Sequence, residues 1–112
     1  MSKIPDISGM TPTQQVRYAI LCAWEVCDDA HWRKWAQDWL NGGDRSARAA
    51  KAVWAAMGAD AARAAEWAAE AAVMGAEWAR AAEWAGKYAR EADPSIDLHA
   101  LAQRAMTEEK AP

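Results

Sequence analysis

Phenylalanine is absent from this chain of 112 residues, and leucine, isoleucine and valine occur only four times each. Phenyl rings are therefore excluded from the core, and tryptophan, methionine and tyrosine must supply much of its bulk beside the few branched aliphatics. Hydrophobic residues still make up 53% of the sequence, because alanine occurs thirty times, tryptophan eight times and methionine five times. Alanine is the strongest helix former and loses no side-chain entropy on folding, so this composition predicts an all-α protein. Alanine faces let helix backbones approach closely, and indoles fill the space that remains between them.

Other absences narrow the functional classes. Cysteine occurs twice, at Cys22 and Cys27. Five residues along a helix place the two about 140° apart, so they cannot bridge within one helix, and their spacing matches no zinc knuckle. They read as two reduced, partly buried thiols of a cytosolic protein. No apolar run approaches the roughly 18 residues of a membrane span. Residues 1–10 contain Lys3, Pro5 and Asp6 and lack a signal-peptide core, so the protein is expected in the cytoplasm. A net charge of −3 lacks the basic stripe of general DNA or RNA binding. There is no Gly-rich phosphate loop, HExxH or CxxC.

What is present organises the chain into an irregular N-terminal arm (residues 1–10), one helical domain (11–107) and a frayed tail (108–112). Thr11, Pro12 and Gln14 form a helix start with a capping box; Val16, Ile20, Ala23, Trp24 and Cys27 share the apolar face of the helix that follows. This helix is expected to end near Cys27–Asp29, where Asp28 or Asp29 caps a second one. The second helix sets Trp32, Trp35 and Trp39 at i, i+3 and i+7, and Gly42 and Gly43 stop it in a left-handed turn. Asp44 is expected to cap a third helical stretch, and no proline follows until Pro94. A single rod over 45–91 would be about 70 Å long, too long for a compact domain, so a break is expected near Met57–Asp60, and whether the run breaks or kinks a second time at Gly75 stays open. The last helix lies within Pro94–Met106, with Leu98, Leu101, Ala102 and Ala105 on one side. The overall expectation is a compact bundle of about five helices.

The tetrapeptide Ala-Glu-Trp-Ala recurs at 65–68, 76–79 and 82–85, and Ala-Val-Trp-Ala stands at 52–55. Trp67 and Trp78 are three turns apart and share a face within about 20°, whereas Trp84 points roughly 120° from Trp78. The spacing is irregular, so no solenoid follows.

Catalytic constellations are missing from the pattern. His31 and His99 lie on separate helices, Ser46 and Ser95 look like helix-start residues, and paired carboxylates such as Glu66 and Glu70 have no histidine nearby to complete a metal site. Neither a catalytic residue nor a metal or cofactor is expected. One local anomaly stands out: His-Trp-Arg-Lys-Trp at 31–35, followed by Trp39. Indoles beside cations suit a base-and-phosphate ligand, through stacking and charge-assisted hydrogen bonds. The i, i+3, i+7 spacing favours the alternative, in which Trp32, Trp35 and Trp39 are the buried side of a helix that has Arg33 and Lys34 on its wet side. Arg45, Arg48 and Lys51 form a second basic set beside a helix N-terminus, which is either a natural anion site or, as the default, a solvated charged face whose helix terminus Asp44 is already expected to occupy. The candidate ligand-binding set is Trp32, Arg33, Lys34, Trp35, Trp39, Arg45 and Arg48.

The segment from Leu21 to Met57, with Trp35-Ala36, Trp39-Leu40, Gly43-Asp44-Arg45 and the alanine blocks that follow to about Ala92, resembles small Ala/Trp-rich bacteriophage proteins. More distantly it is similar to a bacterial immunity protein family. The resemblance implies a small helical protein without enzymatic activity that acts in phage–bacterium or bacterium–bacterium conflict. Two expectations follow. In one, a phage protein counteracts a host defence by holding a nucleotide-type small molecule at a subunit interface of a homo-oligomer. In the other, the protein binds and neutralises a defence enzyme or toxin.

Overall fold

The computed structural model describes residues 5–56, 63–74 and 79–107. Among them are six helices and no strand: α1 (Pro12–Trp24), α2 (Ala30–Leu40), α3 (Ala47–Ala56), α4 (Arg63–Met74), α5 (Ala79–Ala92) and α6 (Leu98–Thr107). No helix among the described residues is long and apolar enough to cross a membrane.

Local chemistry sets most helix starts. At α1 the Thr11 hydroxyl accepts from the Gln14 amide while the Gln14 side chain accepts from the Thr11 amide, satisfying two otherwise orphaned donors. Asp29 accepts from the Trp32 amide at the start of α2, and Gly42, at φ 83°, turns the chain beyond its end. Two expected boundaries move. Ser46, not Asp44, caps α3 by accepting from the Ala49 amide at 3.1 Å. Asp44 sits two residues earlier and accepts from the Ser46 amide. Likewise Asp97 caps α6 by accepting from the Ala100 amide, because Asp93-Pro94-Ser95 folds into the same Asp-x-Ser turn. In these turns the serine hydrogen bonds hold Asp44 and Asp93 below the usual carboxylate range.

The largest departure concerns α1. Its apolar stripe predicts one buried face, yet every residue from Gln15 to Ala23 is buried. α1 is the central helix, with α2, α4, α5 and α6 packed around it, and residues 5–10 lay Ile7 and Met10 into the same core. Gln15 fits there because its amide nitrogen donates to the Ile7 and Met10 carbonyls. α1 also ends at Trp24, earlier than expected.

Around that axis, alanine brings the helices together. α4 buries Ala64, Ala65, Ala68, Ala69 and Ala71, and α5 buries Ala81, Ala82, Ala85 and Ala89. The Trp67 and Trp84 rings meet edge-on at 4.6 Å. Because α3 packs on α4 and α4 on α5, the proline-free run is folded back on itself within a longest dimension of 36 Å. The expected break near Met57–Asp60 and the open one at Gly75 lie outside the described residues, as do Trp78 and the tail. On α6, Leu98, Leu101, Ala102 and Ala105 are all buried.

Candidate functional site: the grooves beside α3

The seven residues singled out in the sequence separate into two groups. Trp32 is completely buried, and its indole nitrogen donates to the Ala65 carbonyl of α4 at 3.1 Å. Trp39 and Trp35 retain 4% and 7% of their surface. Trp24, Trp32 and Trp35 form a tilted ring series with centroids 6.3 and 6.1 Å apart. No indole face of this stripe is open for a base to stack on.

Two of the arginines are tied to carbonyls at helix ends, Arg33 partly buried and Arg45 still exposed. Arg33 donates through Nε to the Cys27 carbonyl at 2.8 Å and through Nη2 to the Trp24 carbonyl at 3.0 Å, and lies 4.5 Å over the Trp24 ring. Arg45 repeats the device at the end of α2: Nε donates to the Trp39 carbonyl at 2.8 Å and the guanidinium lies 4.3 Å over the Trp39 ring. A third arginine, Arg17 of α1, is buried and donates to the Ala105 carbonyl near the end of α6 at 2.8 Å. Each guanidinium meets the carbonyl end of a helix, where orphaned acceptors and the helix dipole favour a cation. Arg33 also explains why the chain turns where α1 ends.

Lys34 and Arg48 remain at the surface. Lys34 lines an open groove of about 670 Å³ between α2 and α3. Its α2 wall carries His31, Lys34, Trp35, Asp38 and Asn41; its α3 wall is Ala49, Ala52, Val53 and Ala56. The Asp38 carboxylate accepts from the Asp44 amide at 3.2 Å, which ties it to the turn before α3. Trp35 brings an unspent group: its indole N–H is buried and has no hydrogen-bond partner. Arg48 stands one residue before Ala49 and one turn before Ala52, on the rim of that wall.

α3 itself is lightly packed. Only Ala50 is buried, whereas Ala52, Trp54, Ala55 and Ala56 are exposed. Trp54 shows half of its surface, the largest such exposure of an indole among the described residues. On the α4 side it faces a smaller pocket of about 300 Å³ shared with Arg63, Glu66, Trp67 and Glu70. Sequence reasoning grouped Trp54 with the Ala-Glu-Trp-Ala segments and missed it as a site residue. The replacement of Glu by Val before that indole was the available signal.

Three described serines serve the local structure. Ser8 and Ser95 donate to the aspartates of their turns, and Ser46 caps α3. Cys22 and Cys27 are free and buried; desolvation pushes the Cys22 thiol up to about 12, so it is a poor nucleophile near neutrality. No group of three or more metal-ligating side chains is gathered among the described residues. No family model, curated protein or solved structure matches the chain.

Proposed function

We propose that this protein is a non-catalytic binding module that holds an acidic amphipathic helix of a partner protein in the α2–α3 groove. The observation that carries this reading is the exposed small apolar face of α3 beside the groove. Within the fold, alanine faces of this kind bring α4 and α5 together; on α3 the same surface is left uncovered. Ten residues of α3 present about 15 Å of wall, enough to seat partner side chains at i, i+3/i+4 and i+7. Trp35 lines the groove while almost wholly buried, so it offers the partner a fixed apolar floor rather than a hydrogen bond. Lys34 and Arg48 supply the positive rim that selects an acidic partner.

In the setting implied by the resemblance to phage and immunity proteins, the partner is a host defence enzyme or a toxin in the bacterial cytoplasm. The second reading, sequestration of a nucleotide-type molecule, is favoured by the groove volume, which falls in the range of small-ligand sites, and by Lys34, His31 and Asn41 along one wall. It is weakened by the burial of Trp32, Trp35 and Trp39.

Photo-crosslinking separates the two. A benzoylphenylalanine at Ala52, expressed in bacterial cells, should give a discrete adduct with another protein. The same group at Gln103 on α6 should give none, and Lys34→Glu should abolish the Ala52 adduct. An adduct between two copies would make the groove a homo-oligomer interface. Absence of any adduct, together with groove-specific indole shifts on titration with nucleotides, would overturn the partner-helix reading in favour of the small ligand.

A further inference from the structure

The pocket on the opposite side of α3 has a different chemistry. Its walls are the indoles of Trp54 and Trp67, the carboxylates of Glu66 and Glu70, and Arg63. We propose that this pocket binds an organic cation, an alkylammonium or guanidinium group, held between the two indoles and against the two carboxylates. The site goes beyond the α2–α3 groove and does not depend on the reading given for it.

Three observations converge. First, Trp54 is half exposed and its indole forms one wall of the pocket, so a ring face is accessible to a ligand there. Second, Trp67 is already held in place: its ring meets Trp84 edge-on at 4.6 Å, and Trp84 in turn lies 6.5 Å from Tyr88. A braced indole loses little freedom when a ligand arrives. Third, the charges select the sign of the ligand. Glu66 and Glu70 lie one turn apart on α4, so both face the pocket. Among the described residues of the lining, the one cation is Arg63, whose guanidinium lies 5.8 Å from the Tyr88 ring centroid. Two carboxylates and one guanidinium make the described lining negative.

That sign repels phosphate and carboxylate ligands. Indole walls suit a weakly hydrated organic cation through its attraction to the ring faces, whereas a hydrated metal ion asks for an oxygen-rich cage. A volume of about 300 Å³ is at the small end of ligand sites and fits a short alkyl cation. The same chemistry is offered by a free amine or guanidine and by a lysine or arginine side chain of a partner protein.

The test follows the indole N–H cross-peaks of isotopically labelled protein, assigned with Trp54→Phe and Trp67→Phe. Butylguanidinium and butylammonium chloride, titrated at constant chloride, should shift the Trp54 and Trp67 peaks saturably in the millimolar range. Trp54→Ala and Glu70→Gln should each weaken binding by about tenfold, with the remaining peaks showing that the variants stay folded. Ala52→Glu, in the other groove, should leave the titration unchanged, so failure of the partner-helix reading and failure of this one are distinguishable. Blocked tripeptides with a central arginine or lysine identify the source. Binding tighter than that of the butyl cations points to a partner side chain; weaker binding points to a free small cation. Absence of a saturable shift would overturn the proposal, as would equal affinity in Glu70→Gln or tighter binding of adenosine monophosphate at the same peaks.

Discussion

Replacing Gly86 with alanine should destabilise the protein, although alanine is the better helix former. Gly86 lies inside α5, where the substitution alone would gain about 1 kcal/mol of helix propensity. A Cβ at this position, however, would fall inside the Tyr18 hydroxyl, 3.0 Å from Tyr18 Cζ and 3.2 Å from Cε2. Tyr18 is fully buried on the central helix, so the rigid ring has no open space to enter. Overpacking of this kind costs about 1–3 kcal/mol, and the direct overlap puts it at the upper end, for a net loss of about 2 kcal/mol. Tyr18→Phe removes the overlapping oxygen. That hydroxyl is buried without a hydrogen bond of good geometry, with only the weakly polar Cys22 thiol beside it. Tyr18→Phe alone should therefore be neutral or stabilising by up to about 1 kcal/mol. In the phenylalanine background Gly86→Ala should cost less, although the ring carbons at 3.0 and 3.2 Å still have to give by a few tenths of an ångström, so the coupling should be favourable by about 1 kcal/mol. Urea unfolding of the four proteins, followed by circular dichroism with matched m-values, measures it. Stabilisation by Gly86→Ala alone, or strict additivity, would refute the close approach of α1 and α5 at this point.

Alkaline pH should weaken the fold through Cys22 and Tyr18. Burial raises the folded thiol from about 9 to about 12, so the unfolded chain releases its proton first, and stability present below pH 9 falls as pH rises toward 12. The slope should approach about 1.4 kcal/mol per pH unit for one group. Tyr18, also raised by burial, adds to the loss above pH 10, and Cys22→Ala should remove the first part of it in unfolding titrations. Trp35→Phe should cost no more than about 1–2 kcal/mol, because the cavity left by the smaller ring is partly offset by deletion of the buried, unpartnered N–H. A thermal melt of the variant checks it.

Much of the architecture is legible in the chain because its signals are local. Thr11 with Gln14, Asp29 and the Gly42 turn are short-range patterns, and the four apolar positions of α6 recur at helical spacing. The Trp32, Trp35 and Trp39 stripe also reads correctly as a face. What it faces depends on distant parts of the chain, and so the choice between core and ligand stays open in sequence. The arginines show this best. Arg33 looks like the wet side of α2, but its partners are the carbonyls of Trp24, at the end of α1, and of Cys27 in the turn beyond it. Arg17 reaches Ala105, 88 positions away, and no helical period announces such a contact. The complete burial of α1 is hidden for a related reason: Gln15 and Arg17 interrupt the apolar pattern and are accommodated by hydrogen bonds to other segments. In the same way, Ala-Val-Trp-Ala on α3 and Ala-Glu-Trp-Ala on α4 are nearly the same local sequence. Only the neighbours placed beside them decide that Trp54 is exposed and Trp67 is braced.

The central claim is that the basic and aromatic cluster of α2 divides, residue by residue, into architecture and binding surface. Adjacent positions test it: the unfolding free energy of Arg33→Ala, measured beside that of Lys34→Ala. Arg33 supplies two charge-assisted hydrogen bonds to the end of α1 and a stack on Trp24, so its loss should cost about 2–4 kcal/mol. Lys34 is exposed and lines only the groove, so its loss should stay within about 0.5 kcal/mol. An Arg33→Ala variant as stable as Lys34→Ala would contradict the account and return Arg33 to the surface as a ligand-binding residue.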